Sequence, residues 1–331
     1  MKNILLLQTG GTIAMHLSKS GAELDQKKWT ALLQKEIPEL FTIASIQVEK
    51  IFFEDSSDIN FTHWITLSNY IYEHYDAFDG FVILHGTDTM AYTASALSFS
   101  LRNLSKPVIL TGSQVPLSNI RSDARRNLVN SIELATHPIP EVTICFNDHL
   151  FRGNRCTKMN IGDFDAFSSP NFKHLAEIGL DIEFFHQWEL PENPVINKPL
   201  FDNALHLIKI FPGLNPDLLQ CLDLNKTRAI IFEAFGTGNF PLKGNYSLLP
   251  FIKRCVDNGV YVIINSQAPF DSVDLTQYKS GREALKIGVL SAGDMTTEAT
   301  VTKVMHLTAC GLADDQFIEQ FNGNLTGERS R

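Results

Sequence analysis

The chain has 331 residues, 44% of them hydrophobic and 20% charged, which is ordinary soluble composition and enough chain for two packed cores. A formal charge of -9, from 28 Lys plus Arg against 37 Asp plus Glu, argues against binding a polyanion, which needs clustered cations; nucleic acid is not an expected partner. No apolar run is long enough to span a bilayer and no leader precedes "KNILLLQ", so the chain reads as cytoplasmic and soluble, with no membrane partner.

The five cysteines, Cys145, Cys156, Cys221, Cys255 and Cys310, are odd in number, scattered and without a Cys-x-x-Cys pair, as in a reduced cytosolic chain. The ten histidines include no His-Glu-x-x-His or His-x-x-x-His spacing, which excludes a metal centre built on one helix; no metal is expected.

Short apolar, branched runs recur along the chain, each ending in small polar residues. "NILLLQ" leads into "TGGT" (Thr9 to Thr12), "GFVILHG" from Gly80 into Thr87 and Asp88, and "PVILTGS" from Pro107 into a loop. "EVTICF" from Glu141, "AIIFEAFG" from Ala229, "VYVIIN" from Val260 and "IGVLSAG" from Ile287 continue the series. Strands that are apolar throughout and alternate with helices predict a parallel sheet covered on both faces. A helix after Asp88 shows Ala94, Leu97 and Leu101 at helical spacing, with Asp88 or Thr89 as its N-cap. Another begins near Asp123 and puts Leu128, Ile132 and Ala135 on one face. Both stripes read as core.

Between about Glu189 and Pro216 the text changes, as "ELPENPVINKP" and "FPGLNP" concentrate Pro and Asn around a strand-like "LHLIKI". The expected division is an N-terminal domain over 1–188, a linker over 189–212 and a smaller α/β domain over 213–331. The fold class is α/β: a larger N-terminal domain whose mainly parallel, mixed sheet lies between helices, and a smaller C-terminal α/β domain with a parallel sheet. Ligands of open α/β sheets bind at the carboxyl ends of strands, which makes Thr9 to Thr12 and Thr87–Asp88 candidates for one crevice.

TGGT lacks the Gly-x-Gly-x-x-Gly spacing of a dinucleotide turn and the Gly-Lys-Ser/Thr ending of a phosphate loop. A structural turn alone accounts for the glycines; adjacent glycines also let backbone N–H groups approach a ligand, as in an oxyanion hole. A threonine hydroxyl is a poor nucleophile at neutral pH, so a catalytic Thr12 requires a base or a proton relay from elsewhere. "HGTDTM" offers Thr87 and Asp88, and "RGNRCTK" offers Lys158, which together make such a relay. Taken singly, Thr87–Asp88 also reads as a helix cap and Lys158 as a solvated charge.

In combination the motifs resemble the L-asparaginases, most closely the bacterial cytoplasmic (type I) members. The resemblance rests on "TGGTIAM" (Thr9 to Met15), "EDSSD" (Glu54 to Asp58), HGTDTM (His85 to Met90), "LTGSQVPLSNIRSDARRNL" (Leu110 to Leu128), RGNRCTK (Arg152 to Lys158) and "FDAFSSPN" (Phe164 to Asn171). "FGTGNFP" (Phe235 to Pro241) and "GDMTTEATVTK" (Gly293 to Lys303) extend it over nearly the whole chain.

The resemblance implies hydrolysis of L-asparagine to L-aspartate and ammonia with neither metal nor organic cofactor, and weaker action on L-glutamine. Thr12 matches the nucleophile that forms an acyl-enzyme. Thr87, Lys158 and Asp88 match a second set in which the lysine eases proton transfer from the threonine. By the same resemblance Asp88 accepts from the substrate ammonium, and Ser56 with the backbone of Asp55 to Ser57 binds the carboxylate. Held by one fixed anion and a set of donors, a zwitterion keeps its amide carbon near the nucleophile. Asp55 and Asp58 also read as helix caps before "FTHWITL".

Asn239, in "GTGN", matches a residue that in some relatives reaches a neighbouring subunit, implying a homodimer or homotetramer; a strand-end turn uses Gly and Asn anyway. Glu233 and Ala268 lie in variable segments, so no regulatory site is carried over. The chain departs from many relatives in the loop "HLSKSGAELDQKK" (His16 to Lys28): Ala22 stands where a lid tyrosine is expected, which leaves the base for Thr12 unassigned. The loop composition still reads as a lid. Two other readings share the motifs: a catalytically silent amino-acid sensor, and the ammonia-supplying subunit of a tRNA-dependent amidotransferase. The latter carries an additional N-terminal domain, whereas here the first strand is expected at Asn3.

Overall fold

The computed structural model describes residues 1–15 and 26–330, which divide into two compact units, Met1–Pro199 and Leu200–Arg331. In the first unit the strands are β1 (Asn3–Gly10), β2 (Ser45–Glu54), β3 (Gly80–Leu84), β4 (Leu101–Arg102), β5 (Val108–Thr111), β6 (Val142–Phe146), β7 (His149–Arg152), β8 (Thr157–Lys158), β9 (Phe167–Ser168), β10 (Ala176–Ile178), β11 (Ile182–Phe184) and β12 (Ile196–Asn197). Eight of them form one sheet in the order β11-β10-β7-β6-β5-β3-β1-β2. The stretch β6-β5-β3-β1-β2 is parallel, and β7, β10 and β11 add to it antiparallel, so the sheet is mixed and mainly parallel, as expected.

Ile4, Leu5, Leu6 and Leu7 of β1 are all fully buried, yet successive side chains point to opposite faces. Ile4 and Leu6 enter one core with Val82 and Leu84 of β3; Leu5 and Leu7 enter the other with Phe81 and Ile83. Two cores, one per face, are why the sequence shows unbroken apolar runs where a one-sided sheet would alternate.

The helices are α1 (Thr12–Met15), α2 (Gln26–Glu36), α3 (Leu40–Ile43), α4 (Phe61–Glu73), α5 (Met90–Ser100) and α6 (Ala124–Leu134). Trp29 and Leu33 of α2 and Leu128 and Ile132 of α6 pack into the first core; Leu67 and Ile71 of α4 and Ala94 and Leu97 of α5 pack into the second. Both expected stripes are therefore core. The chain leaving β1 goes to one face and that leaving β3 to the other, so the boundary between these neighbouring strands is the switch point of the sheet.

In the second unit β13 (Leu205–Lys209), β14 (Ala229–Ala234), β15 (Tyr261–Ser266) and β16 (Leu290–Ser291) form a four-stranded parallel sheet in that order. The helices α7 (Leu249–Asp257) and α8 (Lys279–Lys286) cover one face, and α9 (Thr297–Ala309) and α10 (Asp314–Asn322) the other.

The stretch 189–212, expected as a linker, contributes a strand to each unit: β12 pairs antiparallel with β4, and β13 is an outer strand of the second sheet. Its prolines and asparagines punctuate these strands rather than free them. The cap of α4 also differs from expectation. Asn60, not Asp55 or Asp58, accepts from Thr62 N in a capping box with His63, while Asp55 caps the short 3-10 turn Ser56–Asp58.

Candidate active site

Four loops meet at the carboxyl ends of β1, β2, β3 and β5. Gly10 and Gly11 turn the chain out of β1 with φ of +119° and +85°, a region L side chains rarely adopt. A Cβ on Gly10 would lie 2.1 Å from the Glu54 carbonyl oxygen, and one on Gly11 would lie 2.6 Å from Gly86 N. The two glycines thus let the β1 turn press against the ends of both neighbouring strands, and Thr12, half-buried, opens α1 directly after them. Thr9 is fully buried and donates its hydroxyl to Leu84 O of β3 at 2.7 Å, a structural tie between the two strands.

His85, fully buried, supports the β3 turn from below. Its Nδ1 lies 2.7 Å from Gly86 O and its Nε2 lies 2.9 Å from Thr93 Oγ1. A carbonyl only accepts, so Nδ1 carries the proton and Nε2 accepts from Thr93, whose oxygen in turn accepts from Trp64 Nε1 at 3.1 Å. Burial pulls the His85 pKa down to about 4 and keeps the ring neutral, although the bond to Gly86 works the other way.

Beyond Gly86 come Thr87 and Asp88. Lys158, at the end of β8, places Nζ 2.7 Å from Thr87 Oγ1 and 2.6 Å from Asp88 Oδ1. The Lys158 side chain is 15% exposed, whereas that of Asp88 is 66% exposed, so a carboxylate with access to solvent stands beside a sheltered ammonium. The fold therefore assembles Thr87, Asp88 and Lys158 from segments some 70 residues apart in sequence.

Gln114 belongs to the same cluster and was missed in the sequence. Its Oε1 accepts from Thr87 Oγ1 at 3.2 Å, and its Nε2 donates to Ile161 O and Asp163 O at 3.3 and 3.2 Å. Those carbonyls dictate which end of the amide faces Thr87. The backbone N–H groups of Gln114 and Val115 donate to the buried Asp123 carboxylate, both at 3.0 Å. "LTGSQVPLSNIRSDARRNL" contains both residues, but nothing in their spacing points at Thr87.

Ser56 is buried beside Gly86, where its Oγ would lie 2.6 Å from an added Cβ. The Ser56 carbonyl accepts from Thr89 Oγ1 at 2.6 Å, so Thr89 ties the β2 turn to the start of α5 rather than capping it with its side chain. Asp55 Oδ1 accepts from the N–H and the hydroxyl of Ser57 at 2.9 and 2.8 Å, bonds that hold its carboxyl below the usual range. A turn of which Asp55 is the cap thus brings Ser56 against Gly86 and Thr89, the residues flanking Thr87 and Asp88. Asn239 lies in the second unit, in the turn after β14; its partners there are Phe235 and Ser280. Ala22 and the other residues of 16–25 lie outside the described residues.

Two family models span this arrangement: "Asparaginase, N-terminal" over residues 3–190 and "Glutaminase/Asparaginase C-terminal domain" over residues 205–321. The chain belongs to the asparaginase family. It is 39% identical to L-asparaginase 1 of Escherichia coli K12 over 336 aligned positions, covering 99% of this chain and 98% of that one. Among solved structures it is similar to the thermostable L-asparaginase of Thermococcus kodakarensis, with a TM-score of 0.91, 35% identity and 99% of each chain covered. L-asparaginase I of Vibrio cholerae gives a TM-score of 0.88 at 36% identity, covering 100% of this chain and 99% of that one. The asparaginase N-terminal match contains Thr12, Asp55 to Ser57, Thr87, Asp88, Gln114 and Lys158; the C-terminal match contains Asn239. The two matched stretches lie one in each compact unit, so the family's two-domain organisation is that of this chain.

Proposed function

We propose that this member of the asparaginase family hydrolyses the side-chain amide of L-asparagine to L-aspartate and ammonia. The observation that carries the reading is Lys158 Nζ bonded to both Thr87 Oγ1 and Asp88 Oδ1, at the switch point where the glycine turn presents Thr12. In this reading the Thr12 hydroxyl attacks the amide carbon, ammonia leaves, and the β-aspartyl ester on Thr12 is hydrolysed by water. Thr87 supplies the polarised hydroxyl. The Lys158 ammonium lowers the cost of negative charge on Thr87 Oγ1 as Thr87 passes its proton to the departing amide nitrogen and takes up the one released by Thr12. Asp88, largely exposed, receives the substrate ammonium, and the Asp55–Ser57 turn receives the carboxylate, so that both ends of the zwitterion are held and the amide carbon is aimed.

The same site accepts L-glutamine more weakly. One methylene is worth about 1 to 3 kcal/mol in a pocket, which leaves measurable side activity. We place the enzyme in the cytoplasm, working as a homodimer or homotetramer to which Asn239 contributes; light scattering of the purified protein measures that assembly. Among the described residues no helix is long and apolar enough to cross a membrane.

A coupled ammonia assay with asparagine and with glutamine tests the function. Turnover of asparagine is expected, falling by several orders of magnitude in both Thr12→Val and Thr87→Val, which delete a hydroxyl and keep the shape. Wild-type turnover in both variants would sink the mechanism. Asparagine binding without turnover would point to the sensor, and ammonia release only with charged tRNA and a partner to the amidotransferase.

A further inference from the structure

His149 in β7 and Glu177 in β10 are register partners across an antiparallel pair, so both side chains stand on the same face of the sheet. His174, three residues before Glu177, folds back over them, its ring centroid 4.6 Å from that of His149. The three residues offer two imidazole nitrogens and a carboxylate oxygen that all lie within 4.8 Å of one another. Among the described residues His174 Nε2 is buried and has no hydrogen-bond partner; the carboxylate oxygen Glu177 Oε2 is 3.9 Å away, beyond hydrogen-bonding reach. A buried imidazole nitrogen with nothing to bind is costly unless something occupies the space in front of it.

The two histidines line a cleft of about 440 Å³ together with Phe151, Asn160, Asp165 and Lys173. The Lys173 ammonium sits 3.3 Å from the centre of the Phe185 ring, which engages its charge within the same unit. None of the three ligand candidates belongs to the Thr87–Lys158 cluster. They form no sequence motif either, since 174 lies 25 positions after 149 and the register of β7 and β10 is what joins them.

We propose that His149, His174 and Glu177 bind a divalent transition-metal ion of the zinc class. Two imidazoles and one carboxylate are the donor set that suits zinc and disfavours magnesium, which prefers oxygen alone. Tetrahedral zinc holds such ligands at about 2.0 to 2.2 Å, which requires the donor atoms to stand roughly 3.4 Å apart. Closing the remaining ångström or so takes side-chain rotation only, which partly exposed residues can make. Three protein ligands leave a fourth position for water. The ion would pin β10, near the edge of the large sheet, to β7.

The full-length protein, stripped by chelator and dialysed, is titrated with zinc by isothermal calorimetry, and its thermal midpoint is followed with and without the ion. The wild type should take up one zinc per chain saturably and gain thermal stability, and magnesium should do neither. Glu177→Gln, an exposed and sterically mild change, should weaken zinc at least about tenfold, and the His149→Ala/His174→Ala double variant should lose it. Absence of saturable uptake by the wild type overturns the proposal. So does unchanged affinity in Glu177→Gln, which decides the matter even if the double variant fails to fold.

Discussion

Gln114 Oε1 accepts a hydrogen bond from the Thr87 hydroxyl at 3.2 Å while Lys158 Nζ donates to Thr87 Oγ1 at 2.7 Å, so Thr87 is held as donor to one and acceptor from the other. Gln114→Leu removes that acceptor while preserving size, so the Thr87 hydroxyl keeps its bond from Lys158 but loses the partner that orients its hydrogen. We expect kcat for ammonia release to fall about 10²-fold, in the range found for a lost positioned proton partner, with KM changed little. An equal loss in KM alone would mean that Gln114 grips substrate instead.

Lys158 separates charge from shape at the same hydroxyl. Lys158→Met keeps the stem and deletes the ammonium that bridges Thr87 and Asp88, and should cost about 10³-fold or more in kcat/KM. Lys158→Arg restores charge but not a compact point donor, and should recover little. Full recovery by arginine would show that charge alone suffices.

The turn itself is open to test through stability. Gly10→Ala places a Cβ 2.1 Å from the Glu54 carbonyl oxygen at a φ of +119°, so the β1 and β2 ends must separate. A loss of about 2 to 4 kcal/mol in urea unfolding is expected, from backbone strain and overpacking together. A variant as stable as wild type would show that the close approach is dispensable.

The strands buried on both faces were legible in the sequence because burial leaves no choice of residue: β1, β3, β5 and β6 read as apolar runs, and β14 and β15 likewise. β2, "SIQVEKIFFE", was not, because it is an edge strand with one buried residue and alternates with charge. β10 and β11 are three residues each and half exposed, which gives periodicity nothing to act on. At the site, Thr87 and Asp88 were legible from their place at a strand end. Gln114 was not, since its role depends on carbonyls of Ile161 and Asp163 that only the folded loop supplies. The histidine cluster escaped for the same reason: strand register, not spacing, makes His149 and Glu177 neighbours.

His85 makes the site's foundation sensitive to acid. Its pKa of about 4 in the folded protein lies below the 6.5 of a free imidazole, so the unfolded chain takes up a proton that the folded one refuses. The contribution is complete above pH 6.5, is lost as pH falls from 6.5 toward 4, and amounts to about 3 kcal/mol in all. Ring nitrogen shifts from ¹⁵N NMR should show the Nδ1-protonated neutral form unchanged from pH 8 to 5. A ring that titrates near 6.5 would remove both the tautomer assignment and the pH dependence.

The second unit holds an ion pair with both side chains fully buried: Lys303 of α9 and Glu328. Lys303 Nζ donates to Glu328 Oε1 at 2.5 Å, to Phe321 O at 2.9 Å and to Gly323 O at 2.7 Å, so all three of its protons are used and the carboxyl end of α10 is closed. Burial by itself would raise the Glu328 pKa, but Lys303 and the N–H groups of Leu325 and Thr326 outweigh it and hold the carboxyl below its usual value. Stability from this group is therefore present above pH ~4.5 and is lost as pH falls through the lowered folded value. Glu328→Gln leaves an uncompensated buried ammonium and should cost about 3 to 5 kcal/mol at pH 7. Adding Lys303→Met should recover part of that loss, because the orphaned charge goes with it. Urea unfolding of the three proteins across pH 3 to 7 tests this: only the wild type should carry the extra loss below pH ~4.5, and a double variant less stable than Glu328→Gln alone would mean that the packing of Lys303, not its charge, holds α10 in place.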